Sequence, residues 1–99
     1  MDVSRPDPLP TEPQRKSLCK MIQHAFVEIR ILGWAGKSQQ AADLADTFHN
    51  IPMEMHGVGF FSWSRFRRDL TAYQAKYANV DRLHTPYNYT AVLDEIAGQ

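Results

Sequence analysis

Residues 11 to 32 read Thr-Glu-Pro-Gln-Arg-Lys-Ser-Leu-Cys-Lys-Met-Ile-Gln-His-Ala-Phe-Val-Glu-Ile-Arg-Ile-Leu, and this stretch decides the fold. Leu18, Ile22, Ala25, Ile29 and Leu32 recur at intervals of three and four, which places them on one helix face, with Met21 and Phe26 alongside. The start of the helix is marked too. Thr11 can cap it, Gln14 can reach back as in a capping box, and Pro13 falls in the first turn, where an amide hydrogen is not needed. Val27 and Ile31 lie on roughly the opposite side of the wheel, four apart and adjacent on the surface. The carboxyl end is therefore apolar nearly all round. Either this helix is central and covered on two sides, or part of it is a partner surface.

Downstream, Gly33-Trp34-Ala35-Gly36 ends the helix with glycine suited to a left-handed cap, and so short a link favours an antiparallel hairpin. The second predicted helix runs from about Lys37 or Ser38 to His49, burying Ala41, Leu44, Ala45 and Phe48, until Asn50, Ile51 and Pro52 stop it. Pro52 to Phe61 reads as a bent connector: Met53 to His56 allow one helical turn, and Gly57 and Gly59 break what precedes them. Ser62 or Ser64 caps a third helix reaching about Ala78, with Trp63, Phe66, Leu70, Tyr73 and Tyr77 on one stripe. Asn79 ends it, Asp81 to Asn88 form a loop around Pro86, and a short fourth helix from Thr90 to Ala97 buries Val92, Leu93 and Ile96. Upstream, Pro6, Pro8 and Pro10 oppose helix. The expected fold is all-α, a small helical bundle of three main helices plus a short carboxyl-terminal one packed around the first. Residues 1–10 form a proline-rich extended leader and 11–99 a single helical domain. No strand-like alternation and no internal repeat competes with this reading.

Composition agrees. A chain of 99 residues with 43% hydrophobic and 22% charged side chains is an ordinary globular domain. Eleven basic and eleven acidic residues cancel, which removes any global field for nucleic acid or membrane. Cys19 is the one cysteine and has no disulfide partner, and no apolar run has signal-peptide or transmembrane length, so a cytoplasmic setting is expected.

Three groups of residues invite a chemical reading. Asp46 with His49, and Asp81 with His84, are Asp-x-x-His pairs of the type that can share a metal on one helix face, and Glu28 and Glu54 are candidates to complete a set. Asp46, however, falls away from the buried stripe, and the second pair falls in a loop. Asp46, His49, Glu54 and His56 together are the candidate metal or small-molecule site around the helix exit; the structural reading is a solvated Asp46 with His49 finishing the helix. No nucleophile accompanies them, so no enzymatic role and no cofactor is expected. Arg65, Arg67 and Arg68, with Arg15, Lys16, Lys20 and Arg30 of the first helix, offer a basic stripe for a nucleic-acid backbone. Trp63 and Phe66 belong to the core stripe instead, and the plain reading is a solvated face in which Arg65 pairs with Asp69. Met53 and Met55, among Val58, Phe60 and Phe61, either line a groove for a partner or cap the end of the bundle, and an exposed Trp34 would be a natural anchor.

The segment Gln39 to Pro52, Gln-Gln-Ala-Ala-Asp-Leu-Ala-Asp-Thr-Phe-His-Asn-Ile-Pro, resembles one found in small uncharacterised bacterial helical proteins. The resemblance implies a bacterial origin and a cytosolic setting, and no activity. The hairpin also resembles a tetratricopeptide pair, but the repeat period of about 34 residues is missing. Taken together, the residues point to a non-enzymatic protein-interaction module, partnered by another protein or by itself as a homodimer through Val27, Ile31, Trp34, Met53 and Met55. A nucleic-acid role for Arg65, Arg67 and Arg68 is the alternative, and no membrane partner is expected.

Overall fold

A computed structural model describes residues 7–78 and 87–99. The described residues form α1 (Glu12–Trp34), α2 (Ser38–Phe48), α3 (Ile51–Glu54), α4 (Trp63–Lys76) and α5 (Tyr89–Ala97), with no strand among them. The fold is all-α. The expected loop around Pro86, the helix end at Asn79 and the Asp81 and His84 pair lie outside the described residues.

Local sequence sets the helix ends. The capping box at α1 is complete: the Gln14 amide donates to Thr11 Oγ1 at 3.3 Å, and the Thr11 amide donates to Gln14 Oε1 at 2.8 Å. At the other end Lys37 N–H reaches Leu32 O at 2.9 Å and Gly36 N–H reaches Gly33 O at 3.1 Å, the paired bonds of a Schellman motif. Gly36 supplies the left-handed turn this requires, with φ +78°. Ser62 caps α4 through the Arg65 amide, and Asn88 caps α5 through the Ala91 amide. Pro52 departs from expectation. It does stop α2, but it sits in the first turn of α3, where proline's fixed φ suits a helix start.

Polar pairs give the directions of the helices. Gln14 Nε2 donates to Ile96 O at 3.3 Å and Tyr89 Oη to Glu28 Oε1 at 2.6 Å, so α5 runs antiparallel to α1. Arg67 grips Asp94 with two bonds of 2.8 and 3.1 Å while Gln74 pairs with Thr90, which sets α5 antiparallel to α4. Lys76 Nζ near the end of α4 meets Asp43 Oδ2 at 2.8 Å, whereas Phe66 near its start meets Phe48 at the end of α2, 5.3 Å between ring centres, so α4 opposes α2. With the short link from α1 to α2, the result is an up-down-up-down bundle in which α1 packs on α2 and α5, and α4 packs on the same two. The first helix is one wall of four, and not the centre on which the others pack.

The core runs along the middle of this ring. Leu18, Met21, Ala25, Leu44, Phe48, Phe66, Leu70 and Leu93 are at most 1% exposed. Phe48 meets Phe66 and Tyr89 edge to face, at 5.3 and 5.4 Å between ring centres. Val92 and Ala45, expected in the core, are half-buried at its margin. The described end of the leader docks on the bundle: Pro10 is buried, its carbonyl accepts from Arg15 Nη1 at 2.8 Å, and Asp7 Oδ2 accepts from the Trp63 amide at 2.8 Å.

Candidate functional site

Because α1 buries only one side, its opposite side is left uncovered. Lys20, Gln23, Val27, Arg30 and Trp34 follow one another at steps of three and four along that outer side, all of them exposed. Val27 is 47% exposed and Trp34 78%, so two large apolar groups face solvent about two turns apart. Phe26 joins them at 56%, which corrects its expected place beside the inner stripe. It lies at the edge of that stripe, one residue before Val27 and outside the part of α1 that the neighbouring helices cover. Ile31 is half-buried at the other margin.

The face is amphipathic and its charge has one sign. The Arg30 guanidinium stands 5.6 Å from the centre of the Trp34 ring, four residues on, a cation over an aromatic face. Lys20, Gln23, His24, Phe26, Val27 and Arg30 border one shallow open depression. The carboxylate of Glu28 turns aside to accept from Tyr89, and Glu12 stays near the start of the helix, 3.7 Å from Lys16. Cys19 is a free, exposed thiol next to this face.

The structure separates the five residues expected to bind a partner. Val27, Ile31 and Trp34 share α1. Met53 is 51% exposed but belongs to α3, near the end where Leu9 lies beside Gly57, whereas Trp34 closes a helix about 35 Å long from its other end. Met55 is 2% exposed and packs in the core, so it offers no surface to a partner. The period could not reveal this, since one helical turn ending at a glycine has no repeat to read.

The remaining candidates divide in the same way. Asp46, His49 and Glu54 border a common depression, but His49 Nδ1–H donates to the Asp46 carbonyl at 2.8 Å, not to its carboxylate. Glu54, only 12% exposed, is taken by Arg65 at 2.6 Å, and His56 is not among the residues of that depression. Among the described residues no group of three or more His, Cys, Asp or Glu is placed to hold a metal ion. The expected Arg65 to Asp69 pair is replaced: Arg65 bridges α4 to α3, and Asp69 has Arg68 beside it at 3.8 Å. Arg67 is held by Asp94. All three arginines thus face carboxylates, and α4 lies diagonally across the bundle from α1, so the two basic helices do not join into one stripe.

Tyr89 and Asp43 are partners that the sequence reading missed. Burial first, and then the Glu28 carboxylate, push the Tyr89 phenol up, so it remains a donor. Asp43 receives Lys76, Tyr77 and Gln39, and the bonds from Lys76 and Tyr77 lower its pKa from the ordinary 3.8 to about 2. Apart from the four-residue spacing of Gln39 and Asp43, no local motif marks these contacts, because they join helices distant in sequence.

No helix among the described residues is long and apolar enough to cross a membrane. Compared with known proteins, the chain matches no family model, no curated protein and no solved structure.

Proposed function

We propose that this protein is a non-enzymatic interaction module that pairs with a second copy of itself through the outer face of α1. The observation that carries this reading is the uncovered stripe of Val27, Arg30 and Trp34, flanked by Phe26, along one face of a single long helix; the other exposed apolar side chains, Leu9, Met53, Val58 and Phe60, lie in the leader and the connector around α3. Its spacing is self-complementary. In an antiparallel pairing about a two-fold axis at Val27, a residue a given number of places after 27 meets the one the same number before it. Trp34 then faces Lys20 of the other copy, Arg30 faces His24, Ile31 faces Gln23, and Val27 faces itself. Lys20 meets an aromatic ring and Arg30 an imidazole, and no two lysines or arginines oppose each other. The polar groups that catalysis would use near the α2 exit are engaged in holding the fold, Glu54 by Arg65 and His49 by a backbone carbonyl. The absence of a disulfide partner for Cys19 suits a reducing cytoplasm.

The test is the solution mass by size exclusion with light scattering, for the wild type and for Val27→Glu. A charge at the axis meets its own copy, so the variant should run as a monomer with unchanged helix content, while the wild type shows a dimer that persists at moderate salt. A wild-type monomer at every accessible concentration removes this function.

A further inference from the structure

All four tyrosines of the chain border one cavity of about 280 Å³, where the carboxyl end of α4 and the start of α5 meet α1 and α2. They are arranged as two pairs: Tyr73 with Tyr77, ring centres 5.2 Å apart, and Tyr87 with Tyr89, 4.8 Å apart. Each ring is held from outside the cavity or at its edge. Tyr77 donates to Asp43, Tyr89 donates to Glu28, Gln40 donates to Tyr73 Oη, and His24 stacks on Tyr87 at 3.8 Å. The aromatic walls are therefore preorganised rather than free to collapse inward.

The charge of the lining narrows the occupant. Among the described lining residues Glu28 is the only charged group, and no lysine or arginine joins it. One carboxylate oxygen accepts from Tyr89, and the other has no protein partner among the described residues. An anion would be repelled by Glu28, and an uncharged apolar ligand would leave that oxygen desolvated without compensation. A bare hard cation wants six or more oxygen ligands, which one carboxylate and a few phenols and amides do not supply. A large, weakly hydrated organic cation suits both features, because aromatic faces attract it and a single carboxylate balances its charge. Lys76 Nζ, 5.5 Å from the centre of the Tyr77 ring, is paired with Asp43 and does not join the lining. The volume is at the lower edge of the range of about 300–1,000 Å³ for ligand pockets, so the guest is small.

We propose that this cavity binds a quaternary or methylated ammonium ion, held against the half-buried rings of Tyr77 and Tyr87 and neutralised by Glu28, with the buried Tyr73 and Tyr89 packed behind them. The phenols stay uncharged in this role, since burial pushes Tyr87 and Tyr89 up.

The experiment is a titration of the full chain, followed by protein NMR shifts and by calorimetry, with choline, Nε-trimethyl-lysine, glycine betaine and 3,3-dimethylbutan-1-ol. The last is choline's uncharged isostere. Saturable binding of choline or trimethyl-lysine is expected, with shifts centred on the tyrosines, and the tighter of the two identifies the source of the headgroup. Glycine betaine should bind more weakly because its carboxylate meets Glu28, and the isostere should not saturate. Glu28→Gln, which keeps an oxygen for Tyr89, should weaken choline by about fivefold to thirtyfold, as should Tyr87→Leu, which removes one ring. Equal binding of choline and its isostere overturns the proposal. So does the absence of saturable binding by either cation, or full affinity in a folded Glu28→Gln variant.

Discussion

Replacing Gly33 and Gly36 by alanine, one at a time, should move stability in opposite directions although the two sites are three residues apart. A Cβ built on either glycine meets no heavy atom within 4 Å, so neither substitution creates a clash and the difference is purely conformational. Gly33 lies inside α1, where alanine is the better helix former and also restricts the unfolded chain; the expected gain is about 0.5–1 kcal/mol. Gly36 is held at φ +78°, where a side chain costs about 1–2 kcal/mol, so after the same unfolded-state gain the net loss is about 1 kcal/mol. For a chain of this size 1 kcal/mol corresponds to a shift in Tm of about 4–8 °C. Urea melts followed by far-UV circular dichroism measure both variants, with Gly36→Asn falling between wild type and Gly36→Ala because asparagine tolerates the left-handed region. Loss at both sites, or a neutral Gly36→Ala, would refute the Schellman closure that turns α1 into α2.

Three further outcomes are expected. Met55→Ala should lose about 2–4 kcal/mol of unfolding free energy, whereas Met53→Ala stays within about 0.5 kcal/mol, because the first is 2% exposed and the second 51%; denaturant midpoints separate them. Arg65→Ala leaves the nearly buried Glu54 carboxylate without its partner and should cost about 1–2 kcal/mol in the same assay. Asp43 has a folded-state pKa depressed to about 2 from 3.8, so the stability it adds is present above about pH 4 and is lost as the pH falls towards 2. Acid titration of Tm should show that limb in the wild type and a shallower one in Asp43→Asn.

Much of the fold was legible because its signals are local. Thr11 and Gln14 declare the start of α1, Gly36 its end, and the spacing of Leu18, Ile22, Ala25 and Leu32 its buried side. Local signals also mislead where one residue serves two purposes: Pro52 both ends α2 and opens α3. Phe26 shows the limit of periodicity. The period locates a stripe but not its width, and the width depends on how far α2 and α5 wrap around α1. The outer face was partly legible, through Val27, Ile31 and Trp34, while the Arg30 and Trp34 contact is a four-residue spacing that the reading passed over. The docking of Asp7 on Trp63, the bridge from Glu54 to Arg65 and the closure of four tyrosines around Glu28 join distant segments, and no local pattern encodes them.

The most direct test of the α1 pairing is a cross-link at its axis. With Cys19 changed to serine, Val27→Cys places one thiol where each copy meets its own equivalent, within reach of a disulfide. Mild oxidation should convert this variant to a covalent dimer, while Arg68→Cys, exposed on α4 across the bundle, stays monomeric in the same Cys19→Ser background. A Val27→Cys chain that remains monomeric under oxidation, or one that links no faster than Arg68→Cys, contradicts the pairing.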